Sequence, residues 1–235
     1  MLKIWNAANF RRTTAGLCLV LAPLFFAVAL LGPQSSGSVA AQLANLAQHR
    51  DQLVAAGLFG IASSILFLPA VFGLLHQIRG RGVVYAHVAG ILMIYSLVVA
   101  AALGGINLMF WEMTRPGLNR AAMVSLLRGI EHAPVAAPLL AGHYLFVLGI
   151  LVLGIALWRA DVHPRWAAIL LILLPVPVVA LSSVGQLAPD LISSVISVVG
   201  FSALGLRLLV TPDADWAATT SPPAIPSPQP QASRA

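Results

Sequence analysis

Apolar and polar positions in this chain come in blocks and do not alternate. Six nearly unbroken apolar runs stand out, at residues 15–32, 53–78, 83–111, 135–158, 166–188 and 191–210. At 1.5 Å per residue, about 20 residues cover the roughly 30 Å hydrocarbon core of a bilayer. Barrel strands would be shorter and would alternate, so continuous runs predict helices. The expected fold is all-α: a polytopic transmembrane helix bundle of six spans, residues 15–210, after a cytoplasmic N-terminal segment of residues 1–14.

Two of the segments between the runs have a helical period of their own. Residues 39–52 space Val39, Leu43 and Leu46 along one face. Residues 119–132 place Met123, Leu126, Leu127 and Ile130 on one side, with Arg120, Ser125, Arg128 and Glu131 on the other, after Asn119 as N-cap. Both predict short amphipathic helices on the outer face of the bundle. Span, amphipathic segment, span thus occurs twice, over 15–78 and 83–158, as a weak parallel repeat. After Thr211 the chain is rich in Pro, Ser and Ala with little to bury, so residues 211–235 are expected to form a disordered cytoplasmic tail.

Composition agrees with the runs. Charged residues make up 9% and hydrophobic residues 59% of the chain, too few charges to cover a water-soluble core. The net charge of +6 raises nucleic acid as a partner. The basic residues, however, sit singly or in pairs at the ends of apolar runs and build no aromatic-lined basic face, which excludes that partner. They order the topology instead. With the N-terminus in the cytoplasm, the inside holds Lys3, Arg11, Arg12, Arg79, Arg81, Arg159, Arg165, Arg207 and Arg234. The outside holds Arg50, Arg115, Arg120 and Arg128. The excess inside predicts a multi-pass plasma-membrane protein with both termini cytoplasmic. Residues 1–40 also carry features of a cleaved signal peptide, with Ser38 and Ala40 before Ala41. The apolar run of 15–32 is longer than the usual signal core, so a retained first span is expected.

Candidate chemistry is sparse. No Asp, Glu, Lys or Arg lies deep in a run, which disfavours proton pumps and ion-coupled transporters. No Walker, HExxH, GxSxG or CxxC pattern is present. His143 lies about 12 Å into the fourth run. It is a candidate cofactor ligand, or else hydrogen-bonds a neighbouring helix. His76 and His87, near the cytoplasmic ends of runs two and three, form with it the candidate set for haem b. His49, Asp51, Glu112, Glu131 and His132 have zinc-ligand chemistry at no recognised spacing, and no metal site is expected. Ala56, Gly60 and Ser64, Ala101 and Gly105, and Ser193 and Ser197 mark close helix approaches. Pro175 and Pro177 should kink the fifth span.

The HRDQL entry to the second run (His49 to Leu53), the IRGRG turn (Ile78 to Gly82) and the ALWRADVHPRWA turn (Ala156 to Ala167) carry a resemblance. Over residues 11–210 the chain resembles uncharacterised small multi-pass membrane proteins of high-GC bacteria. That resemblance implies a six-helix bundle in the plasma membrane and brings no activity or site residues. The leading expectation is a non-enzymatic accessory or structural membrane protein, with the lipid bilayer, a protein partner or a second copy as partners. A b-type haem or quinone-linked redox protein, and a permease for a neutral or lipidic solute, are the alternatives.

Overall fold

The computed structural model describes residues 7–33, 37–131, 133–134, 136–181, 187–212 and 216. Regular structure among them is helical. The long helices are α1 (Ala7–Leu30), α3 (Arg50–Gln77), α4 (Val83–Met113), α6 (Ala136–Arg159) and α9 (Leu187–Val210). Five helices, one within each of these segments, are long and apolar enough to cross a membrane. Their outward faces carry large apolar side chains: Ile91 is 72% exposed and Val179, on a shorter helix, 74%. Contiguous apolar surface of this kind is costly in water and costs nothing in hydrocarbon. The chain is a multi-pass helical membrane protein.

The run at 166–188 departs from expectation. It forms α7 (Arg165–Leu173), a break at Leu174, and α8 (Pro175–Ala180). Residues 165–180 rise about 24 Å, short of the roughly 30 Å needed. Pro175 and Pro177 lack amide hydrogens and crowd the carbonyls four residues back, at Leu171 and Leu173. At the break Ser193 of α9 donates a 3.3 Å hydrogen bond to the Leu174 carbonyl. Among the described residues the expected six spans are five long helices and one shorter, broken apolar segment, with residues 182–186 of the expected fifth span outside the described residues.

The helices close into a ring. α1 packs on α3, α3 on α4, α4 on α6, α6 on α7, α7 on α9, and α9 back on α1. Phe26, Phe67, Phe146 and Phe201, from α1, α3, α6 and α9, meet inside it. Phe67 lies 5.9 Å from Phe146 and 5.4 Å from Phe201, centroid to centroid, in edge contacts favoured by the ring quadrupoles. Two crossings bring backbones together. A Cβ on Gly57 would sit 3.0 Å from the Gly104 carbonyl oxygen, and one on Gly104 2.9 Å from that of Gly57. Gly16 and Gly205 form the same reciprocal pair between α1 and α9. The expected Ala101–Gly105 approach is not used: Gly105 has no neighbour within 4 Å of its Cβ position. One residue is about 100° on a helix, and it is Gly104 that faces α3.

The ring has two unlike ends. At one, which we term the turn end, a 3-10 turn (Gly80–Gly82) joins α3 to α4. There α6 finishes against Gly82, whose added Cβ would meet the Ala156 carbonyl at 2.6 Å. The start of α1 and the end of α9 lie at this end too, tied by Arg12. The other, the cap end, carries α2 (Val39–Gln48) and α5 (Arg120–Glu131), which touch each other. The Ser38 hydroxyl caps α2 by accepting from the Ala41 amide at 3.3 Å, and Leu43 and Leu46 are buried beneath. Asn119 caps α5, its Oδ1 accepting from Ala121 and Ala122. On the expected apolar face of α5, Leu127 is buried and Leu126 exposed. α2 ends at Gln48, before the expected residue 52, because α3 begins at Arg50.

Candidate functional site

The ring interior is not filled along its whole length. Towards the cap end, α1, α3, α4 and α6 line a partly open cavity of about 240 Å³. The aromatic cluster of Phe26, Phe67 and Phe146 forms one wall. Ala56, Gly60 and Ser64, the small-residue stripe of α3, form another. Small side chains at a helix interface normally let backbones close up. Here only Ala29 lies near Gly60, at 3.9 Å from its Cβ position, so the middle of the stripe faces space, whereas Ala56 packs closely on Gly32, whose added Cβ would stand 2.6 Å from it.

The polar groups of the lining are mostly occupied. Ser63 donates across to the Ala22 carbonyl at 2.8 Å. Ser64 donates to Gly60 at 2.9 Å and Ser96 to Leu92 at 2.7 Å, each within its own helix. The hydroxyl protons are thus committed, and a guest meets only their remaining lone pairs. Asn107 of α4 adds an amide nearer the cap end. No described lining residue is an acid or a base. Among the described residues, the lining offers shape and dispersion as its main means of holding a guest.

At the turn end a polar clasp closes the ring. The Arg12 guanidinium, 9% exposed, donates at 3.1 Å to the carbonyls of Leu208 and Leu209 and also bonds that of Thr211. These carbonyls lie in the last turn of α9, at its negative end, where that of Leu208 also accepts from the Thr211 amide at 3.3 Å, so one cation meets both the carbonyls that lack an amide four residues on and the helix dipole. Just beyond, Trp216 is buried, with its ring 4.5 Å from that of His76. Its amide donates to the Pro212 carbonyl at 3.1 Å. The tail therefore does have something to bury at its first turn. Residues 213–215 and 217–235 lie outside the described residues. Arg12→Gln should open this clasp and raise the rate of limited proteolysis after residue 211 about tenfold, the equivalent of one charge-assisted hydrogen bond. An unchanged rate would show that the clasp does not hold the tail.

The histidines are placed as follows. His76 faces Trp216. His87 is exposed on α4, with its Nδ1 2.8 Å from the Val83 carbonyl of its own helix. The two rings thus have separate partners. His143 sits in α6 beside Gly142, which lines the cavity, but its side chain lies outside the described residues. At the cap end His49 is exposed and bonds the Asn45 carbonyl, while Glu112 pairs with Arg115 at 3.2 Å. His132 and the side chain of Glu131 lie outside the described residues. Among the described residues, no group of three or more His, Cys, Asp or Glu side chains comes together. Arg50 joins α3 to the end of α4, donating to the Trp111 carbonyl at 3.0 Å with its guanidinium 5.0 Å from the Trp111 ring centroid.

The cavity and the clasp were not singled out from the sequence. A cavity is an absence of atoms and has no residue pattern, although the Ala56–Gly60–Ser64 stripe marked one of its walls. Comparison with protein-family models, curated proteins and solved structures finds no match.

Proposed function

We propose that this chain is a non-enzymatic plasma-membrane protein that holds a neutral, lipid-like molecule within its helix ring. The cavity between α1, α3, α4 and α6 carries this reading. Its volume of about 240 Å³ exceeds the roughly 150 Å³ at which an apolar cavity already takes up benzene. Its lining is apolar, its hydroxyl protons are committed, and no described charge faces inward. A charged guest would be desolvated without compensation there, whereas an uncharged hydrocarbon chain would not.

The orientation is part of the proposal. Described arginines at the turn end are Arg11, Arg12, Arg79, Arg81, Arg159, Arg165 and Arg207; those at the cap end are Arg50, Arg115, Arg120 and Arg128. The richer end belongs in the cytoplasm. The guest would then sit in the outer half of the membrane, below α2 and α5.

Ala100 lines the cavity, and Ala100→Phe should fill it. Protein purified from membranes is extracted with organic solvent and the extract analysed by mass spectrometry. The wild type should carry an apolar molecule that falls at least about tenfold in the variant, with thermal unfolding unchanged, as expected when one ring takes the guest's space. Equal recovery from both proteins, or none from the wild type, would overturn the reading. Solute flux in proteoliposomes then separates a permease from a holding or accessory protein.

A further inference from the structure

A second concavity lies on the opposite side of the ring, at the turn end. α7 and α9 cross at Gly200, where an added Cβ would stand 3.1 Å from Leu171. Towards the turn end a shallow, open groove of about 960 Å³ lies between the two helices. Its floor is apolar, with Val199, Ala203 and Leu206 along one face of α9. Its rim is basic and aromatic: His163, Arg165, Trp166 and Arg207. From Val199 to Arg207 the helix rises about 12 Å, so charge sits at one end of the groove and hydrocarbon-compatible surface at the other.

The two arginines are not equivalent. Arg165 is bonded to Asp161, which offsets its charge in part. The bond to Arg165 in turn holds the Asp161 carboxyl below the usual aspartate range. Arg207 accepts a bond from Thr211 only at its backbone carbonyl, and its exposed guanidinium has no partner among the described residues. A long basic side chain at the end of a membrane helix, above an apolar groove and beside an interfacial tryptophan, is the arrangement that receives a lipid headgroup.

We infer that the α7–α9 groove binds an anionic phospholipid, with the phosphate at Arg207 and Arg165 and an acyl chain along Val199 and Ala203. Charge complementarity selects the occupant: a zwitterionic lipid brings its own cation to the rim, and a protein helix would need an acidic end. The inference needs only that the chain spans a membrane and does not depend on the cavity inside the ring.

The test is native mass spectrometry of the detergent-solubilised full chain, titrated with phosphatidylglycerol or phosphatidylcholine of matched acyl chains. Phosphatidylglycerol adducts should be retained about tenfold better than phosphatidylcholine adducts. Arg207→Gln should abolish that preference. Arg81→Gln removes an equal charge from the α3–α4 turn at the same end and should leave the preference intact. Asp161→Asn, which keeps a residue tolerant of the positive φ found there, should strengthen retention. Equal retention of the two lipids, or equal loss in Arg81→Gln and Arg207→Gln, would overturn the inference. So would displacement of the adduct by glycerol 3-phosphate alone, which would mark a phosphate site without a lipid.

Discussion

Phe67→Ala is expected to destabilise the bundle by about 2–3 kcal/mol. Phe67 is 1% exposed and touches both Phe146 and Phe201. In water, losing a buried ring forfeits transfer free energy as well as packing. In a bilayer the unpacked helix faces lipid tails as apolar as the core, so most of the transfer part is absent. What is left is the void. Removing about 100 Å³ of ring at roughly 24 cal/mol per Å³ of cavity gives the figure above. Reversible unfolding in mixed micelles of lipid and denaturing detergent would measure it. A loss under about 0.5 kcal/mol would mean the site collapses and the aromatic cluster is not rigid. Phe67 also walls the cavity, so the same variant should accept a bulkier guest than the wild type.

Gly205→Leu should cost as much by the opposite route. Gly205 meets Gly16 where α9 closes the ring on α1. Its added Cβ alone would stand 2.7 Å from the Gly16 carbonyl oxygen and 2.9 Å from the Leu19 side chain. The first is backbone and cannot swing aside. The helices must part, at a cost of about 2–3 kcal/mol for overpacking of this kind. Parting them also draws the α9 carbonyls away from Arg12. Gly205→Leu and Arg12→Gln should therefore be less than additive, because each undoes what the other would remove. Full additivity in the same unfolding assay would show that the crossing and the clasp are independent.

Length and hydropathy were enough to read α1, α3, α4, α6 and α9, because a helix in lipid must satisfy its backbone within itself. The starts were less legible. α1 is already helical from Ala7, the first described residue, ahead of residue 15, since Arg11 and Arg12 can sit in a helix beyond the hydrocarbon. The break in the 166–188 run was not visible in hydropathy, which counts side chains and ignores the donors missing at Pro175 and Pro177. The choice of Gly104 over Gly105 depends on the rotation of α4 about its axis, which α3 fixes and no local pattern reveals. Trp216 looked idle in a tail of Pro, Ser and Ala because its partner, His76, lies far away in sequence. Small-residue spacing foretold close approach at Ala56, Gly60 and Ser64, but only the assembled ring shows that this stripe partly borders space.

The broken α7–α8 segment has a consequence for the surrounding lipid. Around most of its circumference the bundle presents a full hydrophobic height, and α4 alone spans about 46 Å of helix. On the α7–α8 side the described helix of residues 165–180 gives about 24 Å, and residues 182–186 lie outside the described residues. A bilayer meeting both flanks must thin or bend beside the short one, at a cost of fractions of a kcal/mol per ångström of mismatch. A flank whose apolar height is set by this short helix would make the protein a lopsided wedge in its membrane. Neighbouring molecules that also prefer thin bilayer would then gather on that flank, giving the bundle a preferred side for company before any specific contact is made.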